Sequence, residues 1–107
     1  MIVSTNDSIA GQRIVRTLGI VRGNTIRARH LGRDIMALGR NVVGGEISEY
    51  TKLLGEAREQ ALDRMVAEAK ELGADAVVMT RFSTSMVMSG AAELLAYGTA
   101  VVLEPIQ

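Results

Sequence analysis

The sequence predicts an α+β protein in which strands on either side of one long helix pack against its apolar face, accompanied by a short helix. Apolar residues recur at helical spacing from Gly44 to Gly73, whereas residues 13–26, 75–88 and 93–103 are rich in apolar and β-branched residues. The dipeptide Ser89-Gly90 lies between the last two segments and predicts the turn of a β-hairpin. A chain of 107 residues with no linker or low-complexity tract is expected to form a single domain over 1–107.

The segment from Gly44 to Gly73 has the pattern of one amphipathic helix. Glu46 and Glu49 place negative charge in its first turn, where the helix dipole favours it, and Gly73 is a left-handed stop signal. Burial of the apolar stripe, rather than surface ion pairing, should stabilise this helix. The stripe contains Ile47, Tyr50, Leu54, Ala57, Ala61, Met65, Ala69 and Leu72, with Leu62 and Val66 on its flank.

Arg58 does not fit this pattern, because by helical angle it lies within the apolar stripe. One interpretation is that its aliphatic stem packs on the stripe while the guanidinium reaches water. The other is that the stripe faces a second chain, where Arg58 meets a carboxylate or backbone carbonyls. Arg58, Tyr50 and Tyr97 are therefore candidates for an oligomer interface.

The segments before the long helix predict two strands and a short helix. Residues 1–5 form a short strand candidate, and residues 13–26 form a longer one that is apolar on both faces. We expect such a strand to be buried on both faces. Within it, Gly19 marks a bulge or a close backbone approach, and Gly23-Asn24 marks a turn or a second irregularity. Residues 31–39 predict the short helix.

Two strands follow the long helix. Residues 75–88 form the first, and residues 93–103 form the second, which is apolar on both faces and should therefore lie centrally in the sheet. Pro105, the only proline, should end it.

Charge is balanced over the chain but uneven along it. Residues 1–45 contain seven arginines and two aspartates, a balance of +5, and residues 46–107 carry −5. An anionic partner would explain the basic half. We favour the alternative that the two halves face each other, within one chain or across a symmetric interface, because the totals cancel.

Composition excludes several classes of protein. The chain has no cysteine, so it has neither disulfides nor a thiolate site. Its first residues lack the pattern of a signal peptide, and no apolar run approaches the roughly 20 residues of a membrane span. These features predict a cytoplasmic protein without a membrane partner.

Several motifs resemble one family over nearly the whole chain. They are RHLGRDI at 29–35, VGGEISEYTKLLGEAREQAL at 43–62, ELGADAVV at 71–78 and AYGTAVVL at 96–103. They are similar to the YbjQ family, small bacterial and archaeal proteins often labelled as heavy-metal-binding. The resemblance implies an α+β protomer with an antiparallel sheet under a long helix, assembled into a pentameric ring. It implies no particular activity.

The residues themselves give the metal label little support. Soft metals favour thiolates or several imidazoles, and this chain offers only His30, although copies of His30 could converge on a ring axis. Most of the methionines are better interpreted as core-filling residues. A metal ion is therefore only a possible cofactor, and the small ligand, where there is one, is unknown.

Other candidate sites are basic or glycine-rich. Arg27, Arg29, Arg33 and Arg40 form a candidate anion-binding group. The helix-start loop of Gly44, Gly45 and Glu46 could also receive an anion, although Glu46 opposes one there and a structural turn is the better interpretation. With three aromatic residues and no recognised motif, the sequence disfavours nucleic acid.

Catalysis has the weakest support. His30 and Asp34 lie four residues apart and could pair on one helix face, but no nucleophile is identifiable by spacing, so no catalytic residue is assigned. The preferred interpretation is a structural or ligand-binding homo-oligomer that is not an enzyme. A heavy-metal-binding protein and an anion- or nucleic-acid-binding ring that uses the basic N-terminal half are the alternatives.

Overall fold

The computed structural model describes residues 1–28, 43–88 and 91–107. Within them lie one helix and four strands, which form one sheet of order β1-β3-β4-β2. The predicted short helix at 31–39 and the turn at Ser89-Gly90 lie outside the described residues. The elements are β1 (Ile2–Val3), β2 (Gln12–Ala28), α1 (Val43–Glu71), β3 (Ala76–Met88) and β4 (Ala91–Pro105).

The sheet is mixed, which corrects the prediction of an antiparallel one. β4 pairs antiparallel with both β2 and β3, but β1 pairs parallel with β3, Ile2 lying opposite Ala76 and Val3 opposite Val77. The antiparallel sheet was implied by the family resemblance, and the hairpin signal at Ser89-Gly90 concerns only the two strands adjacent to it in sequence. The predicted central position of the last strand is confirmed, because β4 lies between β3 and β2.

The long helix is confirmed within two residues at each end. Ala57, Ala61, Met65 and Ala69 are fully buried and follow the predicted stripe, while Leu62 and Val66 pack partly buried on its flank. These side chains meet Val21 of β2 together with Val77, Ala96 and Ala100. Small residues dominate this core, so the helix can approach the sheet closely.

The helix ends as its sequence predicts. Gly73 has a φ of +83°, which only glycine adopts without strain. The Gly73 and Ala74 N–H groups donate to the carbonyls of Lys70 and Ala69 at 3.0 and 3.1 Å. These bonds satisfy carbonyls of the last helical turn.

The glycines of β2 have different roles. Gly19 has a φ of +123° and lies at a register shift, so the predicted bulge is confirmed. Gly23-Asn24 is neither a turn nor an irregularity, because pairing continues through Gly23↔Ala96 and Asn24↔Leu95. A Cβ on Gly23 would overlap the backbone of Ala61 and Met65, so this glycine allows α1 to lie on β2.

A second, smaller core lies on the sheet face opposite α1. Ala76, Val78 and Val101 are buried there under Ile9 and beside Ile14 and Leu103. The segment after β1 continues along β3, where a bulge places Met79 at a φ of 54°. The Met79 and Thr80 N–H groups donate to the carbonyls of Asn6 and Ser4, each at 2.9 Å. The N-terminal segment therefore covers one edge of β3 as far as Thr80.

Candidate self-association surface

One face of the sheet leaves large apolar side chains uncovered. The side opposite α1, beyond the small core, carries Ile20 and Ile26, which are 73% and 58% exposed. Tyr97 lies between them on β4 and is also exposed. Both faces of β2 were predicted to be buried, and within one chain that prediction is wrong, because α1 covers only one of them. We call this surface the open face; its members are Ile20, Arg22, Asn24, Ile26, Leu95 and Tyr97.

Two arginines flank Tyr97 on this side of the sheet, one on β2 and one on β3. Arg22 and Arg81 are both in register with Tyr97, so all three lie in one row across the sheet. The Arg81 Nη1 donates to the carbonyls of Thr5 and Thr80 at 3.0 and 2.9 Å, which anchors its side chain at one end of the row.

A second uncovered region is the outer half of β3. Every side chain from Arg81 to Met86 is exposed, with Phe82 at 46% and Met86 at 69%. Phe82, Thr84 and Met86 are in register with Ala96, Leu94 and Ala92, which places them on the side of the sheet that carries α1. They remain exposed because α1 lies chiefly over β2 and barely reaches β3. We call residues 81–86 the distal edge.

Arg27, the described member of the predicted anion-binding group, contacts the helix. It is half-buried, and its Nη2 donates to the Gln60 Oε1 at 2.8 Å. Its Nε is buried without a hydrogen-bond partner. Nearby, the buried Thr25 Oγ1 donates to the Ala57 carbonyl at 3.2 Å. These contacts tie β2 to α1. The predicted partners Arg29, Arg33 and Arg40 lie outside the described residues.

The other predicted site residues are dispersed. Gly44, Gly45 and Glu46 lie in the first turn of α1, which begins at Val43, rather than in a loop before it, and Tyr50 lies further along the helix. Arg58 is exposed on α1, and Tyr97 lies on the opposite side of the sheet. The structure therefore does not bring Arg58 and Tyr97 together in one chain.

The described residues do not fit a soft metal ion. No group of three or more His, Cys, Asp or Glu side chains converges among the residues that the structure describes. His30, and with it the predicted pair with Asp34, lies outside those residues. The methionines are also not uniformly core residues: Met65 is fully buried, whereas Met79 and Met86 are exposed.

Among the described residues, the basic and acidic halves are scarcely paired. Over the described ranges, the ion pair is Arg13–Glu104, whose Nη2 and Oε2 lie 2.9 Å apart between exposed side chains. Asn24, not an arginine, donates to Glu93, at 3.1 Å. The exposed Arg16 and Arg22 have no ion-pair partner among the described side chains.

Sequence reasoning missed the residues that form most of both uncovered regions. Ile20 and Ile26 were assigned to a strand buried on both faces, and Phe82 to the strand predicted over residues 75–88. A usable signal was present, because residues 82–88 contain no charge, glycine or proline. Within the described ranges, the chain has no helix whose length and hydrophobicity would let it span a membrane.

Comparison with known proteins places the chain among relatives of similar length. It is 64% identical to a UPF0145 protein of Methanosarcina acetivorans, over 94% of this chain and 95% of that one. A UPF0145 protein of Pyrococcus abyssi is 60% identical over 97% of this chain and 91% of its own length. A third, from Dehalococcoides mccartyi, is 58% identical over 97% of this chain and all of its own length.

Among solved structures, the fold is similar to a DUF74 family protein of unknown function from Pediococcus pentosaceus. The TM-score is 0.65, with coverage of 97% of this chain and 98% of the other; at 16% identity, this similarity concerns the fold alone. The sequence profile of the YbjQ family, described as "Putative heavy-metal-binding", matches residues 1–104. This match and the identities above confirm the resemblance seen in the sequence motifs, and the chain therefore belongs to the YbjQ family.

Proposed function

We propose that this protein functions as a homo-oligomer, a structural or ligand-binding assembly in which a second copy covers the open face of the first. The observation that carries the proposal is the size of the exposed surface. One chain exposes 7243 Å². A folded monomer of its mass of 11.5 kDa is expected to expose about 5,800 Å².

The excess of about 1,400 Å² has the size that assembly requires, because a standard interface buries about 800 Å² on each partner. The chain is also extended: its radius of gyration is 17.8 Å, against about 13 Å expected for a compact domain of this length. Both quantities support a folding unit that contains more than one chain.

The chemistry of the open face supports a second copy as its occupant. Exposed Ile20 and Ile26 provide apolar area, and neighbouring arginines remain without ion-pair partners in the described chain. The outward side of α1 carries exposed Glu56, Glu59 and Asp63. A head-to-tail arrangement in which open faces meet such acidic surfaces would balance the two halves of the chain. Heterologous contacts of this kind form a ring when the rotation between successive copies closes. A pentameric ring, as the family resemblance implies, is one such arrangement.

Metal binding is not favoured as the function of the described residues, for the reasons of donor chemistry given above. Arg27, the described member of the predicted anion-binding group, contacts Gln60 of α1 instead of an open site.

Sedimentation velocity of Ile20→Ser with Ile26→Ser tests the proposal. We expect wild-type protein to sediment as an oligomer at micromolar concentration, and the double variant to shift to a lower mass, because two polar side chains weaken an apolar interface. Both positions are exposed in the single chain, so the fold should survive, which circular dichroism would verify.

The matched control is Ile106→Ser. Ile106 is 63% exposed, similar to the other two isoleucines, but it lies beyond β4 rather than on the open face. This variant should retain the wild-type mass. A wild-type protein that sediments as a single chain would refute the proposal.

A further inference from the structure

Along one side of the distal edge of β3, no neighbouring strand lies among the described residues. β4 pairs with its inner side, Phe82 lying opposite Ala96 and Met86 opposite Ala92. On the outer side, β1 pairs only with Ala76 and Val77, and the segment that follows β1 bonds to Met79 and Thr80. Across residues 82–86, no described strand provides hydrogen-bond partners for the outward N–H and C=O groups.

This free side lacks the features that keep strand edges monomeric. Natural edges are usually blunted by charges, prolines or bulges. The stretch from Phe82 to Met86 has none of these, and its register shifts lie at either end, between Val78 and Arg81 and between Met86 and Met88. It is therefore a regular, uncharged template for another strand.

The side chains of this stretch are complementary to themselves. The sequence Phe82-Ser83-Thr84-Ser85-Met86 has a polar centre and a large apolar residue at each end. In an antiparallel pair centred on Thr84, Phe82 lies opposite Met86 of the partner subunit, and Ser83 lies opposite Ser85 of the partner subunit. Aromatic–thioether and hydroxyl–hydroxyl neighbours are both favourable cross-strand pairs.

We propose that a second copy of this chain adds its own β3 antiparallel to this edge, with Thr84 on the two-fold axis, so that two sheets join into one. This inference rests on the proposed homo-oligomer and adds to it a second, isologous interface, distinct from the open face. Helix α1 does not obstruct the approach, because it lies over β2, at the opposite edge of the sheet.

The like charges nearest to this axis also permit the pairing. In this pairing, Arg81 lies opposite residue 87 of the partner subunit. Arg81 of the partner subunit is six residues away from that position along the same strand. At about 3.4 Å per residue, the two arginines are separated by roughly 20 Å, beyond the screening length at physiological salt.

Charge substitution at the axis tests the pairing. Thr84→Glu and Thr84→Lys each place two like charges directly opposite each other, so each variant alone should sediment at half the wild-type mass. An equimolar mixture of the two places opposite charges there and should recover the wild-type mass. Thr84 is exposed in the single chain, so neither change disturbs its core.

Engineered cysteines test the register without background, because the chain contains none. Thr84→Cys should form a disulfide-linked dimer on mild oxidation, since directly opposed residues have Cα atoms about 4.5–5.5 Å apart. Ser85→Cys alone should remain uncrosslinked, because its counterpart is displaced along the strand. Ser83→Cys mixed with Ser85→Cys should again form a linked dimer.

The outcomes separate the two proposals. Halved mass in both Thr84 charge variants, recovery in their mixture and the stated cysteine pattern would establish the β3 pairing. Wild-type mass in both charge variants, together with no crosslink in Thr84→Cys, would overturn it while leaving the homo-oligomer intact. A monomeric wild-type protein would overturn both.

Discussion

β2 and β3 flank the same central strand, yet they differ in how the chain covers them. α1 lies over β2, where Gly23 and Thr25 are buried. Their counterparts across β4, Phe82 and Thr84 of β3, remain exposed. Their outer edges differ as well. β2 carries four arginines and two register shifts, but the distal edge of β3 has no charge beyond Arg81.

The difference indicates that the two edges suit different neighbours. Charges and bulges make the outer edge of β2 compatible with water and incompatible with a regular added strand. The distal edge of β3 has the opposite properties. Because natural folds usually protect strand edges, we interpret the unprotected edge of β3 as the site of a partner strand.

Large effects are expected where α1 lies over β2. Gly23→Ala would drive a Cβ into the backbone of Ala61 and Met65 and to 2.7 Å from the Arg64 Cβ. Backbone atoms cannot move aside as a flexible side chain can, so we expect a loss of about 2–3 kcal/mol or more in the free energy of unfolding. Urea denaturation at a fixed protein concentration measures it.

Gly55→Ala is the matched control for this prediction. Gly55 lies within α1, and its nearest neighbour to an added Cβ is the Arg58 Nη2 at 3.9 Å. This substitution should raise the free energy of unfolding by about 0.5–1 kcal/mol, because alanine is the better helix former. Equal effects of the two substitutions would contradict close packing of α1 on β2.

Two methionines provide the next test, because they differ in coverage. Met65 is fully buried between α1 and the sheet, whereas Met86 is 69% exposed on the distal edge. Met65→Ala should lower the free energy of unfolding by about 2–5 kcal/mol, as expected for a truncated core side chain. Met86→Ala should change it by less than about 0.5 kcal/mol at a protein concentration low enough to dissociate the oligomer.

In an association assay, Met86→Ala should have a larger effect than Met65→Ala, the opposite of their order in unfolding. Sedimentation equilibrium should show weaker association for Met86→Ala, since Met86 is placed in the proposed β3 contact. A loss of stability in the dissociated Met86→Ala chain as large as that of Met65→Ala would mean that the distal edge is covered within a single chain.

The sequence predicted the elements whose signals are local. The stripe through Ala57, Ala61, Met65 and Ala69 repeats every four residues, so α1 could be located from periodicity alone. Apolar residues on both faces likewise placed β4 at the centre of the sheet. The bulge at Gly19 followed from the identity of one residue.

Features that depend on distant partners were not predictable in this way. The parallel pairing of β1 with β3 joins residues more than 70 positions apart and has no local signature. The role of Gly23 depends on where Ala61 lies across the interface. A β-branched strand in the sequence looks the same whether its second face is covered by its own chain or by another copy, so Ile20 and Ile26 were assigned to a buried strand.

Prediction of the candidate surface was therefore partial. Tyr97 was identified as an interface candidate and lies on the open face, whereas Arg58 lies on the helix instead. Phe82 and Met86 were missed because methionine and phenylalanine are usually interpreted as core residues. Their neighbours in sequence, which are polar but uncharged, provided the better clue.

The smallest expected effect concerns the arginines of β2. Arg13 and Glu104 form an ion pair at 2.9 Å, but their side chains are 69% and 56% exposed, so solvent screens the attraction. Arg13→Gln should therefore lower the free energy of unfolding by less than about 1 kcal/mol, and a double-mutant cycle with Glu104→Gln should give a coupling of similar size.

A small loss of stability in Arg13→Gln is expected if the arginines of β2 serve to keep other strands from pairing with its edge. A charge that keeps other strands away acts through its hydration and not through its contacts within the fold, so its removal should leave the folded chain nearly as stable as before. A loss above about 2 kcal/mol would show that Arg13 is a fold contact instead. The charges on β2 would then have an explanation of their own, and their absence from the distal edge of β3 would no longer indicate a partner there.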